Sequence, residues 1–368
     1  MKRIGRGLRH GLFLLPAIIA ALLYVWLPHV PQLTEKVFSR GIFRAVSVPL
    51  GGLVAVLPFS LTECLVVLAL PLAVTLGILL AKRLRRTEAK GRVLARAGKG
   101  LGWVLSSVLL LYMVMHGANF YRLPVSELMG LDTSIQSPAY LQRVCIDLAQ
   151  KASAERELLE EDEDGYTKLS VSKAEILRLA DNGYRKLDDT YPYLWGGVWR
   201  TKPVLLSHWW SYTGITGMYF PFFAEANVNI DVPDSDIPAT AAHELAHTRG
   251  FAKEDDCNFF AYLTATHSDS ADFRYSGYYL AFVYCYNALY RVDRDAASAL
   301  WASACGEIKA DAAASREHYE KVENEKVSEA TYRVYDSYLK AFSVESGKQS
   351  YGEVVDLLTA WYYAKIKG

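Results

Sequence analysis

Cysteine is scarce in this sequence. The 368 residues include five cysteines, and none of them forms a CxxC pair; they are Cys64, Cys145, Cys257, Cys285 and Cys305. Zinc sites built from cysteine normally use such closely spaced pairs, so the sequence does not support one. The wide spacing suits buried free thiols as well as disulfides, and no pairing is predicted.

Acidic residues are nearly absent from the first third of the chain. Residues 1–118 contain 15 Lys/Arg and 3 Asp/Glu, whereas residues 119–368 contain 25 and 37. A net charge of zero therefore hides a basic part and an acidic part. The long apolar runs also lie early, at residues 11–27, 61–81 and 101–118, and each is long enough to cross a bilayer. We predict a membrane anchor with three transmembrane helices at 1–118 and a globular domain at 119–368.

A basic loop between the second and third runs sets the predicted topology. Residues 82–99 contain eight Lys/Arg and a single acid, Glu88. Short basic loops stay on the cytoplasmic side, so we expect a multi-pass protein of the cytoplasmic membrane with its N-terminus inside and its globular domain extracytoplasmic. Between two spans the loop is better explained by topology than by nucleic-acid binding, and no nucleic-acid partner is expected.

Two other features of the apolar region bear on its role. Residues 45–59 are interrupted by prolines and glycines, and we interpret them as an interfacial or re-entrant piece. Charged residues are scarce inside the spans, where only Glu63 and His116 are ionisable, both at span edges. This scarcity disfavours a transporter.

The globular part is predicted to be mainly helical with one small sheet. Aromatic, glycine and β-branched residues predict short strands at 203–207, 217–223 and 226–231. Apolar periodicity and capping signals predict helices at 138–159, 238–249, 254–267, 276–290, 295–309, 314–342 and 351–366, with a further helix starting at Ser172. The expected fold class is therefore mainly α, with a small sheet just upstream of the helix at 238–249.

That helix contains the motif His243-Glu244-Leu245-Ala246-His247. Histidines four residues apart share one face of a helix, so both imidazoles can reach one ion. Glu244 is turned by about 100° from His243, which places it beside the metal, where it can accept a proton from water. Pro238 suits the first turn, and Gly250 suits the left-handed position that ends the helix.

Chance would produce HExxH in about one chain in a hundred of this size, so its surroundings matter. An acidic cluster follows at residues 254–256. The predicted strand at 226–231 precedes the motif, where zinc peptidases place the strand that pairs with an extended substrate. We expect this strand to lie at the edge of the sheet, where Glu225, Asn227 and Asn229 alternate and would face the site, or would be ordinary exposed positions on one sheet face.

Catalytic zinc takes three protein ligands and keeps one open position. Glu254 is the predicted third ligand, and Asp256 is the alternative because the start of a helix is uncertain by a residue or two. Asn258 lies four residues after Glu254 and would orient it or one of the histidines. A hydrolase also needs a donor that stabilises the oxyanion. The candidates lie later in the chain than Glu254 and are His267, Arg274, Tyr275 and Tyr278.

The run HELAHTRGFAKEDDCNFFAY, with SYTGITGMYFPFFAEANVN upstream and RYSGYYLAF and SYGEVVDLL downstream, resembles the bacterial family known as domain of unknown function 3810. The resemblance covers most of the chain. It implies a membrane-bound zinc peptidase of the gluzincin-like class, with a zincin-like α+β domain and no defined substrate. The family pattern has two glutamates here, at the positions of Glu254 and Asp256, and the shorter Asp256 makes Glu254 the better ligand.

The expected function is that of a membrane-anchored zinc-dependent hydrolase. Within this class we expect a peptidase that acts on a peptide or protein in or near the envelope. His243, His247 and Glu254 would hold Zn²⁺, which lowers the pKa of its water toward ~7, and Glu244 would act as the general base. The alternative is a non-catalytic envelope receptor or assembly factor with a structural or vestigial metal site. A closed site with four protein ligands would favour this alternative.

Overall fold

Among the residues that the structure describes, four helices near the N-terminus are long and apolar enough to cross a membrane. The computed structural model describes residues 11–134, 137–342 and 352–367. The four helices are α1 (Leu12–His29), α2 (Pro31–Ala55), α3 (Leu61–Arg85) and α4 (Lys90–Met115). Helices α1, α3 and α4 overlap the three predicted spans.

Helix α2 is the difference from prediction. The segment 45–59, interpreted as a broken interfacial or re-entrant piece, is helical as far as Ala55. One of its two glycines, Gly51, lies at a close contact. A methyl group at this position would overlap Val198, so the missing side chain lets α2 approach the globular part closely. Part of α2, Thr34–Phe43, is a π-helix. A glycine in an apolar run therefore marked a contact here and did not break the helix.

The rest of the chain is mainly helical, as predicted. Its helices are α5 (Val125–Met129), α6 (Pro138–Arg156), α7 (Lys173–Leu179), α8 (Asn182–Leu187), α9 (Ser207–Ser211), α10 (Ile237–Thr248), α11 (Glu254–Ala265), α12 (Ala271–Val292), α13 (Arg294–Ser303), α14 (Gly306–Val322), α15 (Glu325–Ala341) and α16 (Glu353–Lys367). Helices α14 and α15 replace the single helix predicted at 314–342. Asn324 separates them, because its side chain accepts the backbone N–H of Val327 and starts a new helix.

Three strands form the small sheet: β3 (Lys202–Val204), β4 (Gly217–Phe220) and β5 (Glu225–Asn229). A separate two-stranded sheet joins β1 (Glu160–Glu161) and β2 (Thr167–Lys168). The order of the larger sheet is β3-β5-β4, with β3 parallel and β4 antiparallel to β5. The strand predicted at 226–231 to lie at the edge is therefore the central one, and β4 is an edge strand.

Every residue of β5 is buried, which corrects the prediction that its polar residues face the site. Asn227 donates to the carbonyl of Met218, and Asn229 donates to the carbonyl of Ile215. Glu225 forms an ion pair of 2.9 Å with Lys202. These side chains hold the sheet together instead of meeting a substrate.

Helix α10 is a central helix of the globular part, where it packs against β4 and β5 of the sheet and against α11 and α12. Ten of its twelve residues are buried. The alanines among them, such as Ala241, Ala242 and Ala246, are almost fully buried. Small side chains let neighbouring elements approach from all sides, which is why a central helix of this composition packs tightly.

The N-terminal helices pack directly onto the globular part. Arg122 lies 2.8 Å from Glu35 of α2 and donates to the carbonyl of Gly250, just after α10. Glu225 of β5 accepts the backbone N–H of Thr62 in the first turn of α3 at 2.8 Å. All three contacts are buried, so the sheet and the end of α10 are held at a defined position relative to the apolar helices.

Candidate metal centre

Local sequence explains the position of α10. Pro238 occupies the first turn, where its missing N–H costs no helical bond. Gly250 has a φ of +82°, a left-handed conformation that turns the chain back toward α11. Asp236 stands at the N-cap but its side chain makes no capping bond; it accepts a hydrogen bond from Ser315. The turn at Gly250 brings the start of α11 beside the motif.

Two imidazoles and a carboxylate converge at this point. The rings of His243 and His247 lie 5.0 Å apart, centre to centre. The Nε2 of His243 is 3.0 Å from one carboxylate oxygen of Glu254, and the Nε2 of His247 is 3.7 Å from the other. Glu254 is the first residue of helix α11. The turn between α10 and α11 therefore brings its carboxylate to the two histidines.

The other ring nitrogens are already engaged. His243 Nδ1 lies 2.8 Å from Asn258 Oδ1, and His247 Nδ1 lies 2.8 Å from the carbonyl of Phe251. Both partners are acceptors, which places the proton on Nδ1 and leaves the Nε2 lone pair for an ion. Asn258 had been singled out from its spacing alone.

Cys257 is a further group that could take part. His243, His247 and Cys257 are close enough together to hold an ion. The thiol, however, lies 3.3 Å from His247 Nδ1, on the side of the ring that already bonds the Phe251 carbonyl. Glu254 faces both free Nε2 atoms, so the donor set that best fits a divalent ion is His243, His247 and Glu254.

Burial and charge perturb these groups strongly. Burial alone would raise the pKa of Glu254 and lower that of His243, but their mutual hydrogen bond and charges outweigh it, giving about 2 for Glu254 and about 9 for His243. Burial lowers the pKa of His247 to about 4. Without an ion, the Glu254 carboxylate and a protonated His243 form a partly buried pair, and a cation would replace that proton.

Glu244 lies beside these groups with a free oxygen. It is buried, and its Oε2 has no hydrogen-bond partner among the described residues. Burial raises its pKa to about 8, with the charge of His243 opposing the shift. Gly217, at the start of β4, lies against this carboxylate so closely that an added methyl group would overlap it. A carboxyl group whose pKa lies close to neutral pH and that has an unused oxygen is suited to accept and return a proton.

Asp256, the alternative ligand, is turned away from the centre. It is buried and accepts a hydrogen bond from the backbone of Val125; burial raises its pKa to about 6. Two positions along a helix correspond to a rotation of about 200°. Asp256 therefore supports the junction with α5, and Glu254 alone of the two faces the histidines.

Three of the four predicted oxyanion stabilisers, His267, Arg274 and Tyr275, have their polar groups bonded to residues outside the metal centre, which corrects the prediction for these three. Arg274 pairs with Glu155 of α6 at 2.8 Å, and Tyr275 donates to Asp311 of α14. His267 bonds the carbonyl of Leu263, and the ring of Tyr278 packs on Tyr262. Proximity in the chain did not bring these residues to the motif, because α12 turns Arg274, Tyr275 and Tyr278 toward α6, α14 and α11, and His267 bonds within its own turn.

Three residues that the sequence did not single out for the site surround it instead. Tyr335 of α15 donates a hydrogen bond to Glu254. Tyr219 of β4 stacks on His247 at 5.9 Å, and the ring of His116 lies 6.0 Å from His247. The Tyr219 hydroxyl and His116 Nδ1 are buried with no partner among the described residues. With 24 tyrosines in the chain, no local signal distinguishes these positions.

A family model described as "Protein of unknown function (DUF3810)" matches residues 38–359. The match includes α3 and α4, the sheet and all the residues of the candidate metal centre. No curated protein and no solved structure matches the chain.

Proposed function

The chain belongs to the DUF3810 family, and we propose that it is a membrane-anchored, zinc-dependent hydrolase, in the first place a peptidase. One observation carries the proposal: the Nε2 atoms of two histidines and the carboxylate of Glu254 converge, with a second carboxylate, the buried Glu244, beside them. The extracytoplasmic orientation of the globular part is a further proposal, which rests on the basic loop between α3 and α4.

His243, His247 and Glu254 would hold the ion. Two imidazoles and one carboxylate are a donor set that zinc accepts, and three protein ligands leave a fourth position open. When bound, zinc would supply a Lewis acid that activates water near neutral pH. Asn258 and the Phe251 carbonyl orient the two imidazoles through their Nδ1 atoms.

Glu244 acts as general base in this proposal. Its Oε2 receives the proton of the attacking water and returns it to the leaving nitrogen, so the amide C–N bond breaks as a C–O bond forms. The position of Gly217 next to the carboxylate leaves room for it. Tyr219 is our candidate donor to the developing oxyanion, because burial raises the pKa of its hydroxyl above the usual range and keeps it protonated.

The substrate is proposed to be a peptide or protein near the membrane. His116 follows directly after α4, and its ring packs on His247. The centre therefore lies within about one side chain of the end of an apolar helix. A site at this position is suited to substrates held at or close to the bilayer.

One contact favours the alternative of a receptor or assembly factor with a structural or vestigial metal site. Tyr335 donates to Glu254 and occupies one side of the proposed third ligand. If Tyr335 or another protein group completes the coordination of the ion, the site is closed to water and has no hydrolytic role.

The test compares the full-length wild type, Glu244→Gln and the control Glu329→Gln, whose side chain is exposed on α15. Zinc content and cleavage of a mixed peptide library are measured for each. We expect all three to bind zinc, and Glu244→Gln alone to lose cleavage by roughly 10²-fold or more. If Glu244→Gln keeps both zinc and full cleavage, Glu244 is not the base. Zinc bound by four protein ligands, without cleavage by the wild type, would favour the alternative.

A further inference from the structure

Large apolar side chains are exposed on the globular part beside β3. Leu205 is 77% exposed, Leu206 41% and Trp209 65%. They occupy the turn after β3 and the first residues of α9, and we call them the 205–209 patch. A contiguous group of this kind on a globular surface normally marks a contact with a membrane or a partner.

The patch is attached to the first turn of α3. The carboxylate of Glu63 accepts the backbone N–H of Leu205 at 3.0 Å and that of Leu206 at 2.6 Å. A second carboxylate, Glu225 of β5, accepts the N–H of Leu61 at 3.1 Å. The patch therefore lies at the same height as the start of α3.

The length of α3 sets that height relative to a bilayer. Its apolar 18-residue window is 0% buried within the protein, and its last turn carries Lys82, Arg83 and Arg85. A hydrocarbon core of ~30 Å takes about 20 residues at ~1.5 Å each. Counting back about 20 residues from Lys82 reaches Thr62 and Glu63, and tilting the helix only adds residues to this count. Glu63 therefore lies at the far boundary of the core.

We propose that Leu205, Leu206 and Trp209 insert into the interfacial layer of the bilayer that α3 crosses. Tryptophan favours this layer, and exposed leucines gain from leaving water there. The inference rests on the membrane anchoring in the proposed function and not on hydrolysis. Since β3 and β4 belong to one sheet and β4 lies against Glu244, insertion holds the metal centre at a fixed height above the membrane.

The experiment uses the full-length chain in vesicles of phosphatidylcholine and phosphatidylglycerol. A Cys64→Ser, Cys305→Ser background removes the two cysteines that are not buried. An environment-sensitive NBD label is then attached to Leu205→Cys, to Leu70→Cys within α3, or to Leu158→Cys. Leu158 is the matched control: it is 65% exposed, but Glu157 and Glu160 flank it. Quenching is measured with nitroxide-bearing lipids and with aqueous iodide.

We expect shallow nitroxide lipids to quench the label at 205 strongly and iodide to quench it weakly, with the reverse at 158. The label at 70 should be quenched by deep nitroxide lipids. If the label at 205 behaves like that at 158, the patch faces water and the proposal is wrong. Shielding at 205 from both lipid and iodide would show that protein covers the patch, and would also overturn it. Loss of lipid quenching at 70 would instead refute the membrane anchoring, and zinc content and cleavage are independent of all these results.

Discussion

Asn258 offers a test of the metal centre that needs no substrate. Its Oδ1 lies 2.8 Å from His243 Nδ1 and holds the ring with Nε2 toward Glu254. Replacement of Asn258 by Leu keeps a similar volume but removes the acceptor. Replacement by Asp keeps the acceptor and adds a negative charge. The two variants should therefore change zinc affinity in different directions.

The size of the effect follows from the lost hydrogen bond. A buried N–H left without an acceptor costs about 1–3 kcal/mol. At about 1.4 kcal/mol per factor of ten, Asn258→Leu should weaken zinc binding by roughly 5- to 150-fold. Loss of a residue that orients a histidine ligand typically weakens metal binding by about 10- to 100-fold, which agrees. Asn258→Asp forms a charge-assisted bond to His243 and should bind zinc at least as tightly as wild type.

The assay is competition for zinc between the purified full-length protein and a chromophoric chelator at constant pH. Asn287→Leu is the control, since Asn287 is exposed on α12. The reasoning is refuted if Asn258→Leu binds zinc as tightly as the Asn287 control. A loss as large in Asn258→Asp as in Asn258→Leu would also contradict it, because it would show that the position tolerates no substitution, whatever its hydrogen bonding.

Further predictions concern pH, the general base and stability. The pKa of His243 is raised to about 9 without an ion, so zinc must displace one proton when it binds below that pH. The zinc affinity should therefore rise about tenfold per pH unit between roughly pH 6 and 8, as measured by isothermal titration. An affinity that does not change with pH would contradict this. Gly217→Ala should push the Glu244 carboxylate aside, leaving zinc content unchanged while cleavage falls by roughly 10²-fold; equal loss of both would point to misfolding. Asp311→Asn should lower the free energy of unfolding by about 3–5 kcal/mol in denaturant titrations. The reason is that Arg156, whose Nε lies 2.9 Å from Asp311 Oδ2 and whose side chain is 2% exposed, would lose its buried counter-charge. An unchanged midpoint and slope would refute this role of Asp311.

Several features of the fold were predictable because they depend on near neighbours in the chain. The predicted helix at 238–249 is observed at Ile237–Thr248, and the next helix begins at Glu254 as expected. Helical periodicity and a glycine in the left-handed position operate within one or two turns. Each predicted strand overlaps an observed one, but the first two predictions run too far, since Ser207 begins α9 and residues 221–223 form a 3₁₀ turn.

The wrong predictions involve contacts between distant parts of the chain. Glu225 was expected on an edge strand, but β4 and β3 pair on both sides of β5 and bury it. Strand order depends on which segments pair, and the alternation of residues within one strand does not carry that information. The oxyanion candidates, such as Tyr275, failed for a similar reason: Asp311, 36 residues away, takes its hydroxyl.

The sequence by itself determined three of the four apolar helices, the mainly helical character, and the placing of two histidines on one helix face with Glu244 beside them, because spacing along a helix dictates which side chains share a face. Only the tertiary structure decided that Glu254 and not Asp256 meets those histidines, that Tyr219, Tyr335 and His116 surround them, and that Glu63 holds the 205–209 patch at the start of α3. Apart from the contact of Glu254 with the histidines, which crosses one tight turn, those contacts join residues far apart in the chain. Their partners are selected by packing of the whole molecule, which no local pattern specifies.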